Sequence, residues 1–275
     1  MFVETDAQQV ETGACPPESG VPSHKARVRK NVERSPQPAA ARPPSRSWYL
    51  RCKVVWEFAA ALALLVPAAP VILAAALLVK LTSRGPAFYT QTRVGRHGRL
   101  FTIYKLRTMI HNCESLTGPR WAVPGDPRVT RVGRFLRLTH IDELPQLLNV
   151  LRGEMGLIGP RPERPELLPE LERGVSRYCE RLSIRPGLTG LAQVQLPPDT
   201  DLTSVGRKLA CDLYYIQHLG PRLDLSILLC TALYVLGVPG RLARHLFRVP
   251  SSSTVERAVP ITVREGAGAR LRRSA

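Results

Sequence analysis

The longest apolar run in the chain, Phe58 to Val79, reads FAAALALLVPAAPVILAAALLV and holds no charged or polar side chain. A helix of about 20 apolar residues is enough to cross a hydrocarbon layer, so this stretch predicts contact with a membrane. Pro67 and Pro70 stand near its middle; each removes a backbone donor and crowds the preceding turn, which predicts a kink or break. Basic residues flank both ends, Arg51 and Lys53 before the run, Lys80 and Arg84 after it. Lysine and arginine close to a membrane segment tend to stay cytoplasmic. With neither flank clearly less basic, the pattern reads as a re-entrant hairpin over residues 47–82 whose two ends share the cytoplasmic face. A kinked helix that crosses the bilayer stays open, since spanning helices tolerate proline.

Beyond this run the period shortens. AFYTQ and LFTIYKL, either side of Val94 to Arg99, read as two strands of a hairpin. Lys105 and Arg107 alternate with apolar neighbours and so share one strand face, where they could hold a phosphate or simply face water. Residues 111–130 look irregular, punctuated by Gly118-Pro119, Pro124-Gly125 and Asp126-Pro127. Arg128, Arg131, Arg134 and Arg137 follow at spacing three, a loose stripe on a helix. Ile141, Leu144, Leu147, Leu148 and Leu151 then recur at helical spacing, and Gly153 supplies a stop. Pro145 is acceptable only in a first turn, which places the helix start near Asp142 or Glu143. Arg185-Pro186-Gly187 marks a tight turn before a short strand, and residues 205–219 read as a helix carrying Asp212, Tyr214 and Tyr215. That tyrosine pair suits either a core or a membrane interface. Leu223 to Leu236 is apolar but short and carries Asp224, so an interfacial helix is preferred to a second span. A basic amphipathic segment with Arg241, Arg244, His245 and Arg248 continues it.

Composition sharpens the two ends. Residues 1–46 are rich in Pro, Ser, Ala, Arg and Glu with hardly a large apolar side chain, too little to offset the entropy of ordering, so they read as a disordered tail. The last residues, from Ser251, read as a second one. The formal charge of +17 is spread over both tails and the middle, which suits anionic lipid, nucleotide phosphate or nucleic acid. Nucleic acid is disfavoured: aromatics are 6% of the chain and are not interleaved with the basic runs as a stacking platform needs. The six cysteines form no C-x-x-C pair and no zinc-like spacing, consistent with reduced thiols.

Candidate chemistry lies in LTHIDELPQLLNVLRGEMGLIGPRPE, residues 138–163. Asp142 and Glu143 would sit at a helix N-terminus, where free amides stabilise anions; capping by acids is the plain alternative. Gly159-Pro160-Arg161-Pro162 clamps one arginine between two prolines, so its backbone is set before a ligand arrives, and a pre-set guanidinium is a good bidentate phosphate donor. With Lys105, Arg107 and Arg137 able to converge, the ingredients of phosphoryl transfer are present: a carboxylate, an expected divalent ion and several cations. Arg185 could touch a ligand or pair with an acid.

The ordered set KLRTM, FLRLTHIDELPQLLNVLRGEM, LIGPRPE, RPGLTGLAQV and DLYYI, after a hydrophobic segment with a central proline, resembles the bacterial sugar transferases, the monotopic polyprenol-phosphate phosphoglycosyl transferases, over roughly residues 50–240. That resemblance implies transfer of a sugar 1-phosphate from a UDP-sugar to undecaprenyl phosphate with release of UMP, the first membrane step of exopolysaccharide, capsule or O-antigen assembly. It implies Asp142 as nucleophile and Glu143 as its partner, both close to Mg²⁺, and Lys105, Arg137 and Arg161 as phosphate or nucleotide ligands. The sequence departs from the family where Ala69-Pro70 replaces a Ser-Pro pair, and where Gly156 stands in place of a common serine. The expected fold is a membrane-associated α/β (α+β) protein: a tail over 1–46, the hairpin over 47–82, a small cytoplasmic catalytic domain with interfacial amphipathic helices over 83–240, and a basic tail over 241–275, at the bacterial inner membrane. A non-catalytic membrane scaffold of the same fold is the alternative.

Overall fold

A computed structural model describes residues 47–113 and 125–264; the expected tail at 1–46, most of the irregular loop and the last eleven residues lie outside the described residues. Helix α1 (Ser47–Thr82) leads, followed by the strands β1 (Phe88–Val94) and β2 (Leu100–Leu106). These pair antiparallel from Phe88↔Leu106 to Val94↔Leu100, as the alternating pattern predicts. Helix α2 (Arg131–Leu138), a 3-10 turn (Ile141–Gln146), α3 (Leu147–Leu151) and β3 (Gly156–Ile158) carry the chain to α4 (Leu168–Gly174). Then come β4 (Gly187–Thr189), α5 (Leu191–Gln195), α6 (Leu202–Gln217), α7 (Pro221–Val235), α8 (Gly240–Leu246) and α9 (Ser252–Ala258). The result is a mixed helix and small-sheet fold.

Helix α1 corrects one expectation. It runs through Pro67 and Pro70 as one continuous element, so the described chain shows no break into two hairpin arms. Its buried side chains, Tyr49, Lys53, Glu57, Ala61, Ala68, Ile72, Ala75 and Val79, recur every three or four residues and form one stripe. That stripe packs on α2, α3, β2, β3 and the 3-10 turn, while Phe58, Leu62, Leu73, Leu77 and Leu81 point outward. Both ends of α1 are bonded to the same folded unit. At the N-terminal end the Tyr49 hydroxyl donates to Asp224 Oδ2 at 2.7 Å and Lys53 Nζ donates to the same oxygen at 2.7 Å. Tyr215 OH donates to Asp224 Oδ1 at 2.6 Å, and Glu57 Oε1 accepts from Lys53 at 2.7 Å and from the Ile158 amide at 2.9 Å. Asp224, which in sequence argues only against a second span, is the centre of this buried network, and Tyr215 is core rather than interface. Gly156 leaves room for Glu57: a Cβ there would stand 2.6 Å from Oε2. At the other end of α1, Arg107 Nη2 donates to Ser83 Oγ at 2.7 Å.

Two devices fix the domain around the later site. Gly133 lets α2 lie against the Thr108 carbonyl, which a Cβ would overlap, and Thr130 caps that helix by accepting from the Gly133 amide at 2.9 Å. Asn149, fully buried on α3, completes the open edge of β2: its Nδ2 donates to Thr102 O at 2.7 Å and its Oδ1 accepts from the Tyr104 amide at 3.3 Å. The C-terminal segment is a further correction. Residues read as trailing off form α9, whose Val255 is buried, and Val263 bridges Val175 as a short strap across α4. Ser176 N donates to Thr262 O at 2.9 Å and Arg264 N to Gly174 O at 2.8 Å. Val255 and Val259, about one helical turn apart, are both buried, and their burial helps to order a stretch whose composition looks loose.

Candidate active site

Asp142 and Glu143 stand on the 3-10 turn, entered through His140 in the left-handed region at φ 57. The expected α-helical N-terminus is instead a tighter 3-10 turn with Pro145 inside it. The two acids face different surroundings. Lys105 Nζ donates to Glu143 Oε1 at 2.6 Å, and Arg161 donates through Nη2 to Oε1 at 2.5 Å and through Nη1 to Oε2 at 3.3 Å. Burial pushes Glu143 up, but Arg161 and Lys105 outweigh it and hold its carboxyl well below the usual range. Asp142 is also buried, and its carboxylate makes no hydrogen bond among the described residues. Burial raises it, Glu143 adds to that, and Lys105 and Arg137 oppose both. One acid is thus pinned, and its neighbour is left unbonded with cations close by.

Arg161 is pre-set more fully than its prolines alone require. Each of three successive carbonyls accepts a hydrogen bond: Pro160 O from Gly187 N at 2.9 Å, Arg161 O from Arg181 Nη2 at 2.9 Å, and Pro162 O from Arg93 Nη1 at 3.0 Å. Arg181 is itself held by Asp212 at 2.7 Å and by the Tyr178 hydroxyl at 2.6 Å, with its guanidinium over the Tyr178 ring. Burial raises Asp212 to about 6 although Arg181 pulls it down. A shallow hollow lined by Val94, Gly95, Pro160, Arg161, Tyr178 and Ile184 opens beside this loop.

Of the residues singled out in sequence, Asp142, Glu143, Lys105 and Arg161 come together, and Arg137 is near enough to lower Asp142 while its Nε donates to Thr108 Oγ1 at 2.9 Å. Arg107 does not join them; it turns to Ser83 at the end of α1. Arg185 lies against Gly153, and the Glu143 carboxylate is bonded by Lys105 and Arg161 instead. The arginine stripe dissolves: Arg131 and Arg134 are exposed, Arg137 turns inward and Arg128 pairs with Asp126 at 2.6 Å. Arg93, Arg181 and Asp212 were not found in sequence as site residues, because they act on backbone carbonyls and no motif marks that role.

No cluster of three or more His, Cys, Asp or Glu side chains able to hold a metal occurs among the described residues. Magnesium keeps several waters and takes one or two carboxylates plus substrate phosphates. An unbonded Asp142 beside a partly shared Glu143 fits that donor set.

A family model described as bacterial sugar transferase matches residues 48–238. The chain belongs to this family. Among its similar relatives is the UDP-glucose:undecaprenyl-phosphate glucose-1-phosphate transferase of Caulobacter vibrioides, 49% identical over 66% of this chain and 68% of the relative. The UDP-N-acetylgalactosamine-undecaprenyl-phosphate N-acetylgalactosaminephosphotransferase of Aeromonas hydrophila is 44% identical over 59% of this chain. An undecaprenyl-phosphate glucose phosphotransferase of Komagataeibacter xylinus is 39% identical over 69% of this chain. The matches cover 38% and 37% of the Aeromonas and Komagataeibacter proteins. In this bacterial sugar transferase, then, the matched part holds α1, the dyad and the Arg161 loop together.

Proposed function

We propose that the protein transfers a sugar 1-phosphate from a UDP-sugar to undecaprenyl phosphate, releasing UMP and starting exopolysaccharide, capsule or O-antigen assembly. The observation that carries the reading is the unbonded Asp142 carboxylate beside a Glu143 pinned by Lys105 and Arg161. An Asp142 oxygen attacks the β-phosphorus of the donor. The bridging P–O bond breaks, and its electron pair leaves with UMP. An aspartyl phosphosugar remains. A phosphate oxygen of the lipid then attacks the same phosphorus, breaking the acyl-phosphate bond and restoring the carboxylate. Covalent catalysis of this kind divides one displacement between two anions into two easier steps. Lys105 and Arg161 stabilise charge on the non-bridging oxygens, and Arg137 faces the incoming phosphate. Mg²⁺, held by Asp142 and Glu143 with the donor's phosphates, would supply further positive charge to the diphosphate.

A membrane site for this exchange is supported by the outward apolar face of α1. The bonding of both ends of α1 to one domain supports a segment whose ends share the cytoplasmic side of the inner membrane. The deciding experiment is UMP release from a panel of UDP-sugars by purified protein with Mg²⁺ and undecaprenyl phosphate. Release with a donor, turnover that needs the lipid and loss of both in Asp142→Asn would establish the reaction. Release unaffected by that substitution would remove Asp142 from it. No release with any donor, from folded and membrane-inserted protein, would favour the scaffold.

A further inference from the structure

Arg107 is 5% exposed at the end of β2, yet only its Nη2 is bonded, to Ser83 O at 3.0 Å and Ser83 Oγ at 2.7 Å. Its Nε and Nη1 have no partner. A buried guanidinium with unmade bonds is costly, and an anion would remove that cost. Nη1 aims at Gly85, where a Cβ would overlap it; the ring of His111 meets the same point, Cγ lying 2.9 Å from it. Lys80 Nζ reaches Gly85 O at 3.4 Å. Gly85 has φ +109, so glycine both makes the turn and, lacking a Cβ, lets Arg107 Nη1 and the His111 ring pack closely against it. No carboxylate is bonded to Arg107, His111 or Lys80 among the described residues.

The neighbours of this basic nest along the chain are apolar and exposed: Leu81 at 74%, Ile110 at 51% and Phe88 at 44%. A free inorganic anion gains nothing from such a rim, whereas a phosphate carried on a hydrocarbon tail gains from both parts. We infer that Arg107, His111 and Lys80, grouped around Gly85 where α1 ends, form a binding site for the phosphate group of a membrane lipid, separate from the Asp142–Glu143 dyad. The inference rests on α1 meeting lipid and not on the chemistry at Asp142. Two sources share this chemistry, a polyprenyl monophosphate and an anionic phospholipid.

The test is retention of lipid by the full chain in maltoside micelles, read by native mass spectrometry with undecaprenyl phosphate, phosphatidylglycerol or inorganic phosphate added separately. Arg107→Gln removes a charge-assisted donor pair and is expected to weaken lipid retention about tenfold. His111→Gln and Lys80→Gln, both exposed, are expected to weaken it by about threefold each and carry the test if loss of the Ser83 bond unfolds the first variant. Dependence seen with undecaprenyl phosphate alone makes this a site that holds the acceptor lipid before its phosphate reaches Asp142. Dependence with both lipids makes it a general headgroup site. Retention unchanged in all three variants, or inorganic phosphate bound as tightly as either lipid, overturns the inference. Asp142→Asn is expected to retain lipid as the wild type does, and phosphosugar formation from UDP-sugar, measured on the same preparations, reads the catalytic proposal separately.

Discussion

Glu143 and Asp142 are consecutive, yet one is bonded by two cations and the other by none. The roles proposed for them rest on that difference: a pinned carboxylate orients charge, and an unbonded one can attack. Asp142→Asn is expected to lower lipid-dependent turnover by at least about 10³-fold, measured as UMP release, because it removes the proposed nucleophile. Arg161→Lys keeps a charge but loses the fork that meets both Glu143 oxygens; kcat should fall while the protein stays folded. Asp212 offers a pH signature. Its carboxyl is raised by burial to about 6 against the Arg181 that holds it, while an unfolded aspartate titrates near 3.9. The folded state therefore binds the extra proton, so this group's contribution to stability is full below about pH 4 and is lost as pH rises through about 6. Thermal melts of Asp212→Asn should lack that decline, and a difference curve flat between pH 4 and 7 would remove the assignment. The dyad, Lys105 and Arg161 were legible because motif and proline spacing mark them. Arg93, Arg181 and Asp212 were not, since nothing in a one-dimensional pattern shows that a distant side chain will hold the carbonyls on either side of Arg161.

At the scale of elements, the apolar run forms a helix and the alternating residues form the β1–β2 hairpin where the pattern predicts, while the leucine-rich segment after Asp142 is helical with a 3-10 rather than α-helical start. The failures have one cause, which is packing across the chain. A helix that lies on a domain throughout its length keeps its prolines inside one continuous element, since tertiary contacts can outweigh a local penalty. Lys53, Glu57 and Asp224 look like flanking charges in sequence, but they close a buried network only when α1 meets α7. Removing one member leaves the others uncompensated, so Asp224→Leu should cost about 3–5 kcal/mol, seen as a lower unfolding midpoint in detergent. Combining it with Lys53→Met should recover part of that loss. Gly187→Ala tests the second small sheet: its Cβ would overlap the Gly159 amide, pushing β4 away from the Arg161 loop. Activity should fall further than stability does.

Over the whole molecule, one domain grips both ends of an apolar helix, and a C-terminal strap crosses α4. If the two ends share a side, Cys52, which is exposed, and a cysteine introduced by Arg84→Cys should react with a membrane-impermeant maleimide from the same face of inverted vesicles. Labelling from opposite faces would make α1 a spanning helix. The side-chain amide of Asn149 has a consequence in time as well as in space. It occupies the free rim of β2 at Thr102 and Tyr104, and such rims are where chains recruit one another into aggregates. During synthesis the hairpin leaves the ribosome more than forty residues before Asn149 does. Through that interval the growing protein carries a sticky margin that its own later sequence has yet to seal.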